Sequence, residues 1–322
     1  MSRKISIPLL IYLFSVISIS ISCPRKEDLR PCHCEWPGLE GSAYILCHGL
    51  NNEQDLSNAA SSLRGKNYVY SFTIDNSNFN FIPSDAFKGL NFVELDINAT
   101  TLRALTDTDE AFVGLEDHLE ILIMTDCVFM SEWDWSIFRN LKKLRTLDIV
   151  GSDLEIIGEE LMKINITNVE DISFARNRIS YIYDNAFVTF RNLRILSLND
   201  NEIKEMKRTM FPNPALTLAD FDISHNLIEQ LPEDLFTNMP SLDTLSIGYN
   251  KILVLKENIF SGIWEQLDLF HTMGNELRCD CRMAWLLEQK FPRVTRGMCA
   301  LPREVKGKTL DKLTSKDLWC YK

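Results

Sequence analysis

The sequence predicts an α/β repeat solenoid, in which short strands stack side by side into a curved parallel sheet and a cysteine cap closes each end. Three observations carry this. One hydrophobic motif recurs at intervals of 23 to 27 residues along most of the chain. Each copy carries a small polar residue, often Asn, at a fixed place. Eight of the nine cysteines fall in two groups of four outside the repeats.

Self-similarity at a fixed period marks an architecture in which one unit cannot bury its apolar face alone but a stack of units can. Close copies run through Leu193, Leu196, Leu198, Asn201 and Ile203, and through Leu242, Leu245, Ile247, Asn250 and Ile252. Two more run through Val169, Ile172, Phe174, Asn177 and Ile179, and through Leu218, Phe221, Ile223, Asn226 and Ile228. Looser copies start at Val69, Phe92, Leu119 and Leu144, and a truncated one runs from Leu267 to Asn275 and Leu277. Within a copy, alternation such as Leu196 and Leu198 sends side chains inward from a strand and leaves the residues between them on the outer face.

The polar position has its own chemistry. After the strand the chain turns and leaves backbone amides and carbonyls facing inward, and an Asn side chain both donates and accepts. Asn177, Asn201, Asn226, Asn250 and Asn275 fill it, whereas Ser77, Thr100, Cys127 and Ser152 fill it earlier. The first half is therefore expected to be less regular. A later landmark, at Phe87, Phe112, Phe138, Phe187, Phe211, Phe236 and Phe260 with Met162 in the fourth copy, predicts an aromatic spine on the convex side.

The pattern resembles the leucine-rich repeat, L-x-x-L-x-L-x-x-N-x-L. The resemblance implies a leucine-rich-repeat solenoid (horseshoe) of about nine units with its parallel sheet on the concave side. The expected division is a signal peptide at 1–22, an N-terminal cysteine cap at 23–66, repeats at 67–277 and a C-terminal cysteine cap at 278–322.

The signal peptide follows from Arg3 and Lys4, then an apolar run from Ile5 to Ile21, then Ser20 and Ser22 at the −3 and −1 places before Cys23. A retained signal anchor is the rival. No other stretch is apolar enough to span a bilayer, and Trp319-Cys320-Tyr321-Lys322 offers no hydrophobic tail, so a free, soluble, secreted chain is expected. Without Arg3 and Lys4, 32 basic residues face 45 acidic ones, a formal charge of −13. That disfavours nucleic acid as a partner, because its phosphates attract basic surfaces.

Cys23, Cys32, Cys34 and Cys47 precede the repeats, and Cys279, Cys281, Cys299 and Cys320 follow them. Solenoid ends expose core and need caps, and a secreted chain supports disulfides. Sequence alone leaves three connectivities per cap, and zinc is the competing use. Cys-Pro…Cys-x-Cys…Cys and Asn275-x-Leu-x-Cys-x-Cys-x-x-x-Trp-Leu resemble the flanking modules of extracellular leucine-rich repeats. That resemblance implies Cys23–Cys34, Cys32–Cys47, Cys279–Cys299 and Cys281–Cys320, with a short helix over Met283 to Gln289. Cys127 is left over. Its repeat phase points to a buried inert thiol, with a reactive thiol or dimer link as the alternatives.

No catalytic motif is visible. The histidines, His33, His48, His118, His225 and His271, lie in no nucleophile elbow, zinc motif or phosphate loop, and no cofactor or metal is expected. Asp220 and Asp222 share one strand face without a pocket around them. The pattern places Asp75, Glu94, Asp96, Asp126, Asp148, Asp171, Asp200, Asp220 and Asp222 on the concave side, with Arg176 the clear basic residue and an apolar patch at Ile121, Ile123, Val150 and Ile195. The candidate binding face is thus Asp96, Asp148, Asp171, Asp220, Asp222, Ile123 and Ile195, fitting a partner with a basic patch. The competing reading is acid that only keeps an exposed sheet soluble. His225 and His271 project from the same strands. Asn98-Ala-Thr and Asn165-Ile-Thr are glycosylation sequons. Trp133 and Trp135 flank Asp134 in a lengthened loop; core packing of both is favoured over Trp135 as an exposed anchor.

Pro31-Cys32-His33-Cys34, the loose copies such as Leu119 to Cys127, and Cys279 to Leu286 (CDCRMAWL) are similar to an arthropod group, the non-catalytic subunit of oplophorus-luciferin 2-monooxygenase. That resemblance implies association with a small secreted enzyme. Two functions therefore stand: a secreted non-catalytic protein-binding scaffold acting as such an accessory subunit, or an extracellular adhesion, matrix or recognition protein. The partner in either is another extracellular protein; oligomeric state is open.

Overall fold

The computed structural model describes residues 23–36, 42–66, 68–131, 133–164 and 166–320. The proposed signal peptide lies outside them. One strand per repeat builds a twelve-stranded sheet. Its strands are β1 (His33–Glu35), β2 (Ala43–His48), β3 (Val69–Asp75), β4 (Glu94–Asn98), β5 (Ile121–Thr125), β6 (Thr146–Val150), β7 (Asp171–Ser173), β8 (Ile195–Ser197), β9 (Asp220–Asp222), β10 (Thr244–Ser246), β11 (Leu269–His271) and β12 (Val294–Arg296). Only β1–β2 is antiparallel; every later pairing is parallel and in sequence order. The sheet crosses the cap boundaries at both ends, because β1 and β2 belong to the N-terminal cap and β12 to the C-terminal one.

Strict alternation explains the layering. In β5, Leu122 and Met124 are buried while Ile121, Ile123 and Thr125 are half-buried on the concave side. The buried rows stack into one continuous core from Leu29 to Leu318. On the convex side Phe87 packs on Phe112, Phe112 on Phe138, Phe187 on Phe211, and Phe236 on Phe260, with centroids 5.8 to 6.4 Å apart. In the fourth repeat the spine residue is the fully buried Leu161, and the expected Met162 is only half-buried. The helix over Glu160–Lys163 turns Leu161 inward, one place earlier than strict spacing gives.

The polar ladder runs down the core. Asn226 Oδ1 accepts from the Ile203 amide at 2.9 Å, and its Nδ2 donates to Leu198 O at 2.9 Å and to Ile223 O and Ser224 O. Asn201, Asn250 and Asn275 repeat the arrangement. In the first half a smaller group makes fewer contacts: Ser77 Oγ accepts from the Leu50 amide and donates to Asp75 O, and Ser152 Oγ accepts from the Cys127 amide and donates to Val150 O. The two halves are built differently. Strands β3 to β6 have five to seven residues against three in β7 to β11. A three-stranded side sheet lies over Asn78–Phe79, Thr101–Leu102 and Val128–Phe129, and a two-stranded one over Ile156–Ile157 and Tyr181–Ile182. The short strands coincide with Asn in the polar position and the long ones with Ser, Thr or Cys. Ser77→Ala removes both Ser77 contacts and is expected to cost about 1–2 kcal/mol by urea denaturation; no measurable change would show water replacing the hydroxyl.

Beside each polar residue the backbone enters the left-handed region. Asn76, Ala99, Asp126, Gly151, Arg176, Asp200, His225, Tyr249 and Gly274 all have φ between 45° and 76°. Each end is closed covalently. Cys23 bonds Cys34, Cys32 bonds Cys47, Cys279 bonds Cys299 and Cys281 bonds Cys320. The helix Glu53–Ser62, capped by the Asn52 side chain, lays Leu56, Ala59 and Ala60 over the first core layer. A 3-10 helix, Cys281–Glu288, lays Met283, Trp285 and Leu286 over the last. Cys127 is buried, its Sγ donates to Ile97 O, and burial pushes its thiol up to about 11. Native thiol labelling at pH 8 is expected to be at least about a hundredfold slower than in denaturant, because the thiolate is the nucleophile; rapid native labelling would refute it.

Candidate functional site

The concave face is the one surface to which every repeat contributes at equivalent positions. Its middle row carries Asp96, Ile123, Asp148, Ser173, Ser197 and Asp222 on successive strands, aligned by the parallel register. The adjoining row carries Glu94, Ile121, Thr146, Asp171, Ile195 and Asp220. All twelve are half-buried. The seven predicted residues Asp96, Asp148, Asp171, Asp220, Asp222, Ile123 and Ile195 therefore share one sheet face, and Ile121 and Ile123 divide its acid into two fields.

The first field is Asp75, Glu94 and Asp96. Asp75 is held between His48 Nδ1 at 2.7 Å and Asn98 Nδ2 at 3.0 Å, and Ser71 Oγ donates to Glu94 at 3.0 Å. Burial, reinforced by the charges of Glu94 and Asp75, raises the Asp96 carboxyl to about 6. The second field begins at Asp148, which burial raises to about 6 against an opposing backbone hydrogen bond from Ser173 and with a contribution from Asp171. Burial also raises Asp171, although Arg194 lies 3.7 Å away and pulls the other way, and it raises Asp220 with the help of Asp222 and Asp243.

A carboxyl raised by folding stabilises the fold below its unfolded pKa, and that stability is lost as pH rises through its folded value. At pH 7.5 Asp96 and Asp148 thus weaken the fold. Replacing both by Asn is expected to raise the melting temperature at pH 7.5 and to narrow the difference from wild type at pH 5. A variant that melts lower at pH 7.5 would contradict this.

Two placements correct the sequence reading. Asp126, Arg176 and Asp200 stand on the left-handed turn at the edge of the sheet, outside its paired rows. There Arg176 is 3.6 Å from Asp126. A second exposed basic residue, Arg296, ends the concave face on β12, which periodicity missed because the cap carries no motif copy. In line with the favoured core packing, Trp135 is buried against Phe174 and Trp133, and the capped 3-10 turn Trp135–Phe138 rotates it inward. His225 stacks on Tyr249 with centroids 4.1 Å apart, and Tyr249 meets His271 edge-on at 6.2 Å. Asn98 ends β4 half-buried beside fully buried Thr100, and Asn165 lies outside the described residues.

A groove of about 1060 Å³ lies away from this face, between Leu231, Leu253, Phe260 and the C-terminal cap. Its rim alternates Glu229, Glu257 and Glu276 with Lys251, Lys256 and Arg282, so no charge selects a ligand. Among the described residues no group of three or more His, Cys, Asp or Glu side chains is arranged to hold a metal ion, and no helix is long and apolar enough to cross a membrane.

A leucine-rich-repeat family profile matches residues 216–273. No curated protein matches the chain by sequence, so the likeness to the luciferin monooxygenase subunit group gains no support. Solved structures do match. A chain of an octameric complex of Latrophilin 3, Unc5D and FLRT2 (LRR) superposes with a TM-score of 0.66 at 19% identity, covering 85% of this chain and 90% of that one. Human 5T4, Wnt-activated inhibitory factor 1, does so with a TM-score of 0.53 at 18% identity, covering 86% and 95%. Identities this low speak for fold alone, and no catalytic family is matched. The chain is a leucine-rich-repeat solenoid closed at both ends by disulfide-bonded caps.

Proposed function

We propose that the chain is a secreted, non-catalytic recognition or adhesion protein whose concave face takes the basic patch of another extracellular protein. The observation that carries the reading is the alignment of Asp96, Asp148, Asp171, Asp220 and Asp222 in two adjacent rows around Ile121, Ile123 and Ile195. Apolar side chains interleaved with charge of one sign suit a partner that covers the isoleucines and sets its basic groups against the carboxylates. The disulfides agree with an oxidising compartment. Within the same reading 1–22 acts as a signal peptide and Asn98 and Asn165 as glycan acceptors. Association with a small secreted enzyme rests on the cap motifs alone and comes second.

A pull-down of the tagged, secreted chain from its native fluid separates the two. Matrix or cell-surface proteins with basic patches support recognition; a small enzyme in near-equal amount supports the accessory role. Neutralising Asp148, Asp171 and Asp222 together to Asn is expected to weaken the captured partner by on the order of a hundredfold, about 1 kcal/mol per charged contact. Unchanged affinity would leave the acid as a solubility device only.

A further inference from the structure

We propose that the concave face is an acid-released binding surface, holding a basic partner in neutral medium and letting it go in mildly acidic medium. This rests on the reading that the acidic face takes such a partner, and adds how its occupancy is controlled.

The geometry begins with position. Asp96 and Asp148 stand in the middle row, one on either side of Ile123, two strands apart and so about 9–10 Å from each other across the sheet. They therefore occupy the centre of the face, where a docked protein excludes water. The nearby basic side chains go elsewhere: Arg194 to Asp171, Arg176 to Asp126, and Arg145 to Glu120 and Glu170 at the sheet edge. Around Asp96 the facing groups are Asp75 on β3, itself bonded to His48 of β2, Glu94 and Asn98 on β4, and apolar Ile123 on β5. Around Asp148 they are Asp171 and Ser173 on β7, Thr146 and Val150 on β6, and Ile123 and Thr125 on β5. The charged neighbours in both places are acidic, apart from His48 and Arg194, and each of these contacts another carboxylate.

Titration follows from that setting. An exposed aspartate keeps its charge down to about pH 4. Asp96 and Asp148, half-buried beside like charges, protonate near pH 6. Acidification from neutral to pH 5.5 thus removes most of the charge from the centre of the face, while ordinary carboxylates elsewhere keep theirs. Farther along the row, His271 faces Asp222, His225 and Arg296, and burial lowers its pKa, so it gains charge later than an ordinary imidazole. The attraction that a Lys or Arg side chain would feel at the centre falls over this interval. By linkage a bound cation lowers both pKa values, so binding near pH 6 expels protons.

Two measurements on the full chain test this. Carboxyl 13C NMR of labelled aspartate gives the titration midpoints, and an octa-arginine peptide in 150 mM salt serves as the cationic probe at pH 7.5 and 5.5. Midpoints near 6 for the two signals that vanish in Asp96→Asn and Asp148→Asn are expected. The peptide should bind on the order of tenfold more weakly at pH 5.5 in the wild type. In the doubly substituted chain the two affinities should differ by less than about threefold. Midpoints below 4.5, or peptide affinity that does not change with pH, overturn the acid release while leaving the binding reading intact. Midpoints near 6 with no peptide bound at pH 7.5 overturn the basic-partner reading and the release together.

Discussion

Asn226→Ala is expected to cost about 2–3 kcal/mol of unfolding free energy, since it leaves the buried Ile203 amide unsatisfied, which alone costs about 1–3 kcal/mol, and removes an amide that also bonds three carbonyls. The Ile203 amide loses its acceptor at 2.9 Å, and the carbonyls of Leu198, Ile223 and Ser224 each lose one donor while keeping Asn201 Nδ2, Asn250 Nδ2 and the Asp200 amide. These groups belong to three consecutive segments of chain, so one substitution loosens the seam between two repeats from both sides. Asn226→Asp keeps the acceptor, removes the donors and buries a charge, and it should be no milder. Urea denaturation followed by circular dichroism measures both. A loss under 1 kcal/mol for Asn226→Ala would mean that water enters the turn and serves the same groups.

Opening the C-terminal cap is expected to cost about as much, by another route. Cys279 and Cys299 are buried and close a span of 20 residues, for which chain entropy gives about 3 kcal/mol. The paired change Cys279→Ser and Cys299→Ser also loosens the packing of Met283, Trp285 and Leu286 at the end of the core, where Trp285 meets Trp264 at 5.1 Å. In a solenoid each unit leans only on its neighbours, so the damage should begin at the open end. Hydrogen exchange is expected to show β11 and β12 losing protection first while β3 to β5 keep theirs. Uniform loss along the chain would show that the stack melts as one cooperative body.

How far the molecule could be read in advance depends on which physics set each part. Period and alternation are local in sequence, so the stacked strands, the core rows and the Asn ladder could all be read from the letters. The face bearing Asp96, Asp148 and Ile123 follows from the same alternation. The cap bridges were legible through the likeness of their spacing to known modules, since geometry was absent. Trp135 was ambiguous because a lengthened loop carries no period; the turn that buries it depends on a hydrogen bond from the Ser136 amide to Asp134. Leu161 replaced Met162 because a short helix shifts phase by one residue. Arg296 went unseen because β12 joins the sheet from a cap with no motif copy. The raised carboxyls of Asp96 and Asp148 were beyond any sequence reading, since burial by neighbouring strands sets them.

The left-handed turn at Ala99 bears on the order in which the chain matures. Asn98, Ala99 and Thr100 form one sequon, and in the folded repeat Thr100 is fully buried, its Oγ1 donates to the Asn98 carbonyl, and the Asn98 amide nitrogen is engaged by Asp75. A transferase needs that tripeptide open. A sugar attached at Asn98 would have to arrive while the second repeat is still unclosed, and the fraction of chains carrying one would then be a clock for how long newly made protein waits before its first turns lock.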